Sequence, residues 1–271
     1  MSERPSNELA VLDGQLMPVE QATIPVTDEG FVRGDGVFEA FRVYAGKQYG
    51  LNRHLARLQQ SADGMQLPID VSAIKHDVET LIGARGEADY AIRIMCTRGG
   101  RTIVKSEPLS DFPESISLSS VEYRTSIVLD GLKTLSYAGN VLANRVAVER
   151  GFDESLLVTP AGLLLEGPTA SLFFSPNGRS LVTPPLEDGI LASITRAALL
   201  KGLDVEVRSC SLEEVLGASE AFLCSSIREI QAVNKIDEHE MAAPGPLTLA
   251  AKQLYADEVQ ARIASAAANI S

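Results

Sequence analysis

Several features are scarce in this chain of 271 residues, and each scarcity closes a class of function. No window approaches the roughly 18 uncharged apolar residues that a membrane-spanning helix requires. Cysteine occurs three times, at Cys96, Cys210 and Cys224, an odd number without the spacing of a disulfide framework or a zinc knuckle. The three histidines, His54, His76 and His239, are scattered singly, so no His/Cys metal site is expected. Positive charge is also short: 24 Lys+Arg stand against 36 Asp+Glu, a net charge of −12, and no basic stretch offers a nucleic-acid footprint. Lysine is the scarcest cation, seven against seventeen arginines, so any lysine chemistry must come from a short list. The opening MSERPSNELAVLDG has no apolar signal core, and with the unpaired cysteines it leads us to expect a reduced, cytoplasmic protein.

What is present is the profile of a globular chain: 45% hydrophobic, 22% charged and 5% aromatic residues. The length accommodates two lobes of roughly 100–150 residues. We expect an α+β (α/β) protein with a small lobe over 1–120, a connection at 121–130 and a larger lobe over 131–271. Asp13-Gly14 and Ala45-Gly46 read as tight hairpin turns. Leu55, Leu58 and Ala62 recur at helical spacing, with Asn52 as N-cap and Gly64 at the end, and this places His54 and Arg57 on one helix face. A second helix fits Val71 to Ile82, capped near Ser72, and Ala91 to Cys96 alternates as a strand. ISLSSVEY and SIVL read as strands. Tyr137, Val141, Ala143, Val146 and Ala147 outline a helix, LLVTPAGLLLEG and SLFFSPNGRSLVTPP two hairpin pairs, and SITRAALLKGL a helix capped at Ser193.

Five places carry groups capable of chemistry. Lys133, in GLKTLSY, stands between apolar residues, where a desolvated amine can attack a carbonyl as the neutral base; the plainer reading is a lysine that snorkels to water. Arg57 is an arginine on a helix that follows a strand. Glu166 ends the apolar LLLEG, as a turn cap or as the partner of a buried cation. Ser193, Ile194 and Thr195 form a helix N-terminus, which attracts anions but does so in many helices without a ligand. Ser225-Ser226, after EAFLC, is a second candidate anion nest. Each is bland alone. Together they supply a Schiff-base lysine, a carboxylate for a pyridinium nitrogen and phosphate donors, the parts of a pyridoxal phosphate site.

The wording and order of these motifs resemble the class IV, or fold type IV, aminotransferases, which include branched-chain aminotransferases, D-amino acid aminotransferases and 4-amino-4-deoxychorismate lyases. The resemblance spans about Leu12 to Val233 and rests on RGDGVFEAFRVYAG, LNRHLARLQQSA, LKTLSYAGNVLANRVAVERGFDESLL, LLLEGPTASLFF, TPPLEDGILASITR and FLCSSIREIQAV. It implies a two-lobed fold, a small N-terminal lobe of sheet plus helices and a larger β-rich C-terminal lobe with helices. It also implies pyridoxal 5′-phosphate as cofactor, with Lys133 as the Schiff-base lysine and proton carrier. Glu166 would meet the pyridine nitrogen, Tyr137, one helical turn beyond the lysine, the phenolic oxygen, and Arg57, Ile194, Thr195 and Ser226 the phosphate. Three positions depart from the family pattern: Ser171 stands where asparagine is frequent, Ser193 where glycine is common, and Arg33 where a bulky aromatic is common before the Gly-Asp-Gly motif.

The same resemblance implies an enzyme acting on small-molecule amino donors and keto acids, at least dimeric, with no nucleic-acid or membrane partner. Lyases of the enterobacterial type often carry threonine where this chain has Glu39, so Glu39 favours a transaminase. The Thr-Arg-Gly after AIRIMC resembles D-amino acid aminotransferases and lyases, and the expected donor is a D-amino acid or an (R)-amine. The alternatives are an aminodeoxychorismate lyase releasing pyruvate, a branched-chain L-amino acid aminotransferase and an inactive cofactor-binding relative. Phe38 and Ile227 are taken as substrate-side residues beside the matched motifs. Because a chain at −12 repels carboxylates, Arg33, Arg93 and Arg101 are the expected source of a locally positive pocket.

Overall fold

Alternating strands and two amphipathic helices build the first of two units in the computed structural model, which describes residues 8–124 and 126–268. The units comprise residues 1–110 with 132–137, and 111–131 with 138–271. The expected connection at 121–130 therefore lies within the second unit. The physical reason is pairing: the strand at Ser115–Glu122 takes its hydrogen bonds from the second sheet.

In the first unit, β1 (Leu9–Leu12) and β2 (Gln15–Pro18) precede a short helix α1 (Glu29–Arg33). There follow β3 (Gly36–Tyr44), β4 (Lys47–Gln48), α2 (Leu51–Gly64), α3 (Val71–Arg85), β5 (Tyr90–Thr97) and β6 (Thr102–Glu107). The sheet is antiparallel throughout, in the order β2-β1-β6-β5-β3-β4. Both expected hairpins form, with Asp13, Gly14, Ala45 and Gly46 all at positive φ, the turn geometry whose twist matches that of paired strands. Val37, Phe41 and Val43 of β3 and Ile92, Ile94 and Cys96 of β5 point into one core with Leu51, Leu55, Leu58 and Ala62 of α2. Two caps differ from expectation. Asn52 lies inside α2, whose N-cap is Gly50 at φ 74°, with the Leu51 N–H held by the Gln48 side chain. Asp70 rather than Ser72 caps α3, because its carboxylate accepts from both Ser72 N and Ala73 N.

The second unit contains β7 (Ser115–Glu122), α4 (Ala138–Glu149), β8 (Glu154–Val158), β9 (Ser171–Ser175), β10 (Leu181–Thr183) and α5 (Ile194–Gly202). It continues with β11 (Val205–Val207), α6 (Leu212–Leu216), β12 (Glu220–Ser225), β13 (Glu229–Ile236), β14 (His239–Glu240) and α7 (Pro246–Ala268). Its mixed sheet runs β11-β10-β9-β12-β13-β7-β8, with β14 on β13. Strands β9 and β12 are buried on both faces and read as the near-continuous apolar runs SLFFS and EAFLCS. One face of the sheet packs on α6; on the other, α4 covers β7 and β8 through Ala143 and Ala147, and α5 and α7 lie against β12. SIVL is not a strand: Ile127–Leu129 forms a 3₁₀ turn with Ile127 and Val128 exposed. LLVTPAGLLLEG folds back on itself as a short hairpin: Thr159 N donates to Leu163 O, Leu165 N to Leu157 O and Leu157 N to Glu166 O, Val158 bridges to Leu164, and Leu163 also bridges to Ser211. Among the described residues no helix is long and apolar enough to cross a membrane.

Leu58 is completely buried at the centre of the α2 contact with β3, so Leu58→Ala should destabilise the chain by about 2–5 kcal/mol, whereas Lys75→Ala on α3, with its side chain half exposed, should change stability by less than about 0.5 kcal/mol. Denaturant unfolding followed by circular dichroism checks both.

Candidate active site

Lys133 does not sit at a helix start. Residues 133–135 run along the β3 edge that β4 leaves uncovered, and the chain then turns: Phe38 N donates to Lys133 O, Leu135 N donates to Gly36 O, Thr134 bridges to Val37, and Tyr137 N donates to Leu135 O. Tyr137 is accordingly not one helical turn beyond the lysine, because α4 begins only at Ala138. Gly36 makes this approach feasible. A Cβ there would meet Cys96 O at 2.4 Å and Leu135 Cδ1 at 2.6 Å. Lys133 N donates to Ser61 Oγ, tying the segment to α2.

Phe38 gathers candidate residues of the first unit, among them Lys133 and Tyr137, which were expected in the larger lobe. Lys133 Nζ lies 4.3 Å from its ring centroid, Arg93 Cζ 5.6 Å from it, and Tyr137 meets it edge-on at 5.3 Å. A phenyl face attracts both cations through its quadrupole. Arg93 is anchored by a two-pronged pair with Glu107 (Nε to Oε1 2.8 Å, Nη2 to Oε2 3.0 Å), and Lys105 Nζ lies 2.9 Å from the same Oε1. Two cations on one carboxylate leave this patch with a net positive charge.

The reverse face of β3 carries Glu39. Its side chain is fully buried, as is that of His54, and Arg57 is 9% exposed. Arg57 Nε donates to Glu39 Oε1 at 2.6 Å, Arg57 Nη2 to Oε2 at 2.8 Å, and His54 Nδ1 lies 2.8 Å from Oε2. Burial pushes the Glu39 pKa up, but the Arg57 charge and the hydrogen bonds from Arg57 and His54 outweigh it and hold the carboxyl at about 2. Burial lowers the His54 pKa; the Glu39 hydrogen bond opposes this, and the Arg57 and Lys133 charges add to it. The imidazole is therefore neutral, with Nδ1 as donor to the carboxylate.

Three further arginines of the first unit are paired with carboxylates near the surface. Arg33 pairs with Glu29 one turn earlier in α1, with 68% of its side chain exposed. Arg101 pairs with Asp13 at 2.6 Å. Arg98, of the Thr-Arg-Gly motif, grips Asp35 and donates to Met65 O and Gln66 O, locking the turn of the Gly-Asp-Gly motif to the end of α2.

In the second unit, Glu166 accepts from Leu191 N at Oε1 (2.8 Å) and from Ser171 Oγ at Oε2 (3.2 Å). Ser171 thus supplies a donor where asparagine is frequent. Ser193 caps α5 by accepting from Arg196 N, so this departure too is structurally complete. Ile194 and Thr195 open α5 and are buried, and the Thr195 hydroxyl donates to Tyr255 Oη at 3.4 Å. Arg196, 5% exposed, donates to Thr183 Oγ1 and Pro184 O. Burial lowers its pKa, and the Glu166 and Glu187 charges are among those opposing the shift. Ser226 and Ile227 lie in the turn between β12 and β13, where Ser225 Oγ accepts from Arg228 N. Among the described residues no group of three or more His, Cys, Asp or Glu is arranged to hold a metal ion.

Sequence reasoning weighed Glu39 only as a marker of reaction type and set His54 aside. The signal was there: Glu39 shares the period-2 stripe of Val37, Phe41 and Val43, so a charge was due to enter the core, and His54 and Arg57 share one helix face to receive it. The donors on Glu166 carried no comparable signal, since Leu191 contributes through its backbone.

Comparison with known proteins identifies the family. Residues 36–236 match the family described as amino-transferase class IV. The chain is 27% identical over 264 residues to D-alanine aminotransferase of Bacillus licheniformis, covering 88% of this chain and 92% of that protein. It is 30% identical over 254 residues to the putative branched-chain-amino-acid aminotransferase of Methanocaldococcus jannaschii, covering 83% and 87%. It is 28% identical over 284 residues to aminodeoxychorismate lyase of Bacillus subtilis, covering 92% and 94%. Among solved structures it is similar to the fold IV-transaminase CpuTA1 of Curtobacterium pusillum (TM-score 0.83, 28% identity, 92% and 99% of the chains). It is likewise similar to the PLP-bound form of a hypothetical aminotransferase from Mycobacterium tuberculosis (TM-score 0.84, 26% identity, 93% and 99%). With the match covering most of its length and the whole fold shared, this chain belongs to the class IV aminotransferases, a pyridoxal phosphate-dependent family of enzymes.

Proposed function

We propose that this enzyme is a transaminase that moves an amino group between a D-amino acid or an (R)-amine and a 2-keto acid. The observation that carries transamination over elimination is the commitment of Glu39. A lyase of the type resembled here uses a threonine hydroxyl at this position, whereas Glu39 is fully buried with both oxygens engaged by Arg57 and His54. It has no hydroxyl to offer a leaving group.

The residues present fit pyridoxal 5′-phosphate: an amine against an aromatic face, a carboxylate aimed by two protein donors, and a capped helix N-terminus for an anion. The cofactor supplies a carbonyl that condenses with amines and a ring that withdraws electrons from the substrate α-carbon. Lys133 Nζ would be the attacking amine and the carrier of the α-proton. Its tether to β3 and Ser61 restricts the backbone from which the side chain swings. Glu166, whose direction Ser171 and Leu191 fix, would hold the pyridine nitrogen, and Tyr137 would serve the phenolic oxygen. Arg57, Ile194 and Thr195 of α5 and Ser226 would hold the phosphate. For the substrate carboxylate Arg93 is the leading candidate, since it stands over the same Phe38 ring as Lys133 in a patch of net positive charge. Arg33, Arg101 and Ile227 are secondary candidates.

We also read the chain as a homodimer in a reducing, cytoplasmic setting. Phe31 and Val32 of α1 are 69% and 51% exposed, and Ile127 and Val128 of the second unit 88% and 81%, more large apolar surface than an isolated chain tolerates well. The three cysteines are free and buried.

Purified protein should absorb in the near-visible, and Lys133→Ala should abolish both that band and turnover, lowering kcat by at least roughly a thousandfold; a colourless wild type that ignores added cofactor means an inactive relative. Mixed with single amino acids, the wild type should lose the band faster with D-alanine than with L-alanine. Conversion confined to L-leucine-type donors indicates a branched-chain enzyme instead, and pyruvate released from aminodeoxychorismate without an acceptor indicates a lyase. Light scattering should give a dimer mass that Phe31→Glu shifts toward monomer.

A further inference from the structure

The cluster of Glu39, Arg57 and His54 lies away from the Phe38 face of β3, and the chemistry assigned above uses only Arg57. Glu39 and His54 are two fully buried titratable groups with no role in that scheme. We infer that Glu39, braced by His54, is a positioning residue that aims the Arg57 guanidinium and thereby sets the affinity of the enzyme for the phosphate end of its cofactor. This inference rests on the reading that Arg57 contacts the phosphate.

The geometry carries the argument. A guanidinium held through Nε and one Nη by both oxygens of one carboxylate cannot rotate in its plane or slide, because two parallel bonds must stay in register. The carboxylate must itself be immobile for this to aim anything. His54 provides that: its Nδ1 holds Oε2 from one turn earlier on α2, and its ring is packed 4.9 Å from the Phe41 ring, tilted by 34°. Three side-chain donors therefore converge on two oxygens, with Ala40 N donating to Oε2 besides. Only an acceptor-only group satisfies them. A glutamine at position 39 has nearly the same shape but carries an NH2 in place of one oxygen. Whichever oxygen it replaces, an Arg57 N–H then faces another donor: Nε if the NH2 takes the Oε1 position, Nη2 if it takes the Oε2 position. The guanidinium must turn away, and the phosphate contact turns with it. An aspartate keeps the charge but falls one methylene short of both partners.

The test compares two ligands that differ only in the phosphate. Full-length wild type, Glu39→Gln, Glu39→Asp and Arg57→Ala, each freed of cofactor, are titrated with pyridoxal 5′-phosphate and with pyridoxal, following near-visible absorbance. Glu39→Gln should weaken pyridoxal phosphate binding by about tenfold or more while changing pyridoxal binding by less than about twofold, with Glu39→Asp showing the same selectivity at smaller amplitude. Should Glu39→Gln fail to fold, Glu39→Asp alone decides by the same criterion. Equal loss for both ligands means a general structural role and overturns the inference. A phosphate-selective loss in Arg57→Ala without one in the Glu39 variants also overturns it, yet leaves the role of Arg57 intact. If Arg57→Ala binds both ligands as the wild type does, the phosphate reading of Arg57 itself has failed, and the inference falls with it.

Discussion

A carboxylate that cannot be solvated organises the first unit. Glu39 enters the apolar core on the same stripe as Val37, Phe41 and Val43, and it stays ionised there only because Arg57 and His54 meet it from α2. Losing Glu39 or Arg57 strands the other as an unpaired buried charge, at a cost on the order of 3–5 kcal/mol. That cost fixes the register of β3 against α2: a shift of one residue would turn Glu39 outward and leave Arg57 facing hydrocarbon. The alternation of a strand does the rest. With Glu39 inward, Phe38 must point to the opposite face, and it is there that Lys133, Arg93 and Tyr137 collect around its ring.

The second unit positions its candidate residues by shorter-range means. Glu166 follows an apolar run and is turned by a backbone N–H and a serine hydroxyl, neither of which is charged. Two of the places where the chain departs from its family, Ser171 and Ser193, are made good locally. Ser171 donates to Glu166, and Ser193 satisfies the start of α5 that a glycine would leave to water or a ligand. The nearby Arg196 is held by a threonine hydroxyl and a backbone carbonyl, so its positive charge contributes to the field at Glu166 without pairing being needed to keep it buried.

Strongly patterned or locally specified features were readable from the sequence. Asp13-Gly14 and Ala45-Gly46 announced hairpins because few residue pairs accept positive φ twice in succession. Ser193 announced α5, and the alternation of β5 put Ile92, Ile94 and Cys96 in the core. Where two candidates competed, composition did not decide. Asp70 and Ser72 are both good caps, and the carboxylate that reaches two N–H groups prevailed. Ile127 and Val128 resemble a strand in composition but have no sheet neighbour to pair with.

The motifs, and with them the family and its cofactor, were determined by the sequence alone, because reactive groups must be of particular chemical types in a particular order. The route of Lys133 along the edge of β3, the orientation of Glu166 by Leu191 and Ser171, and the conversion of Glu39 from a reaction marker into the brace of Arg57 were decided only by the tertiary structure. Each depends on partners far apart in the chain or on backbone groups that every residue shares, and such contacts leave no trace in a residue's type or spacing.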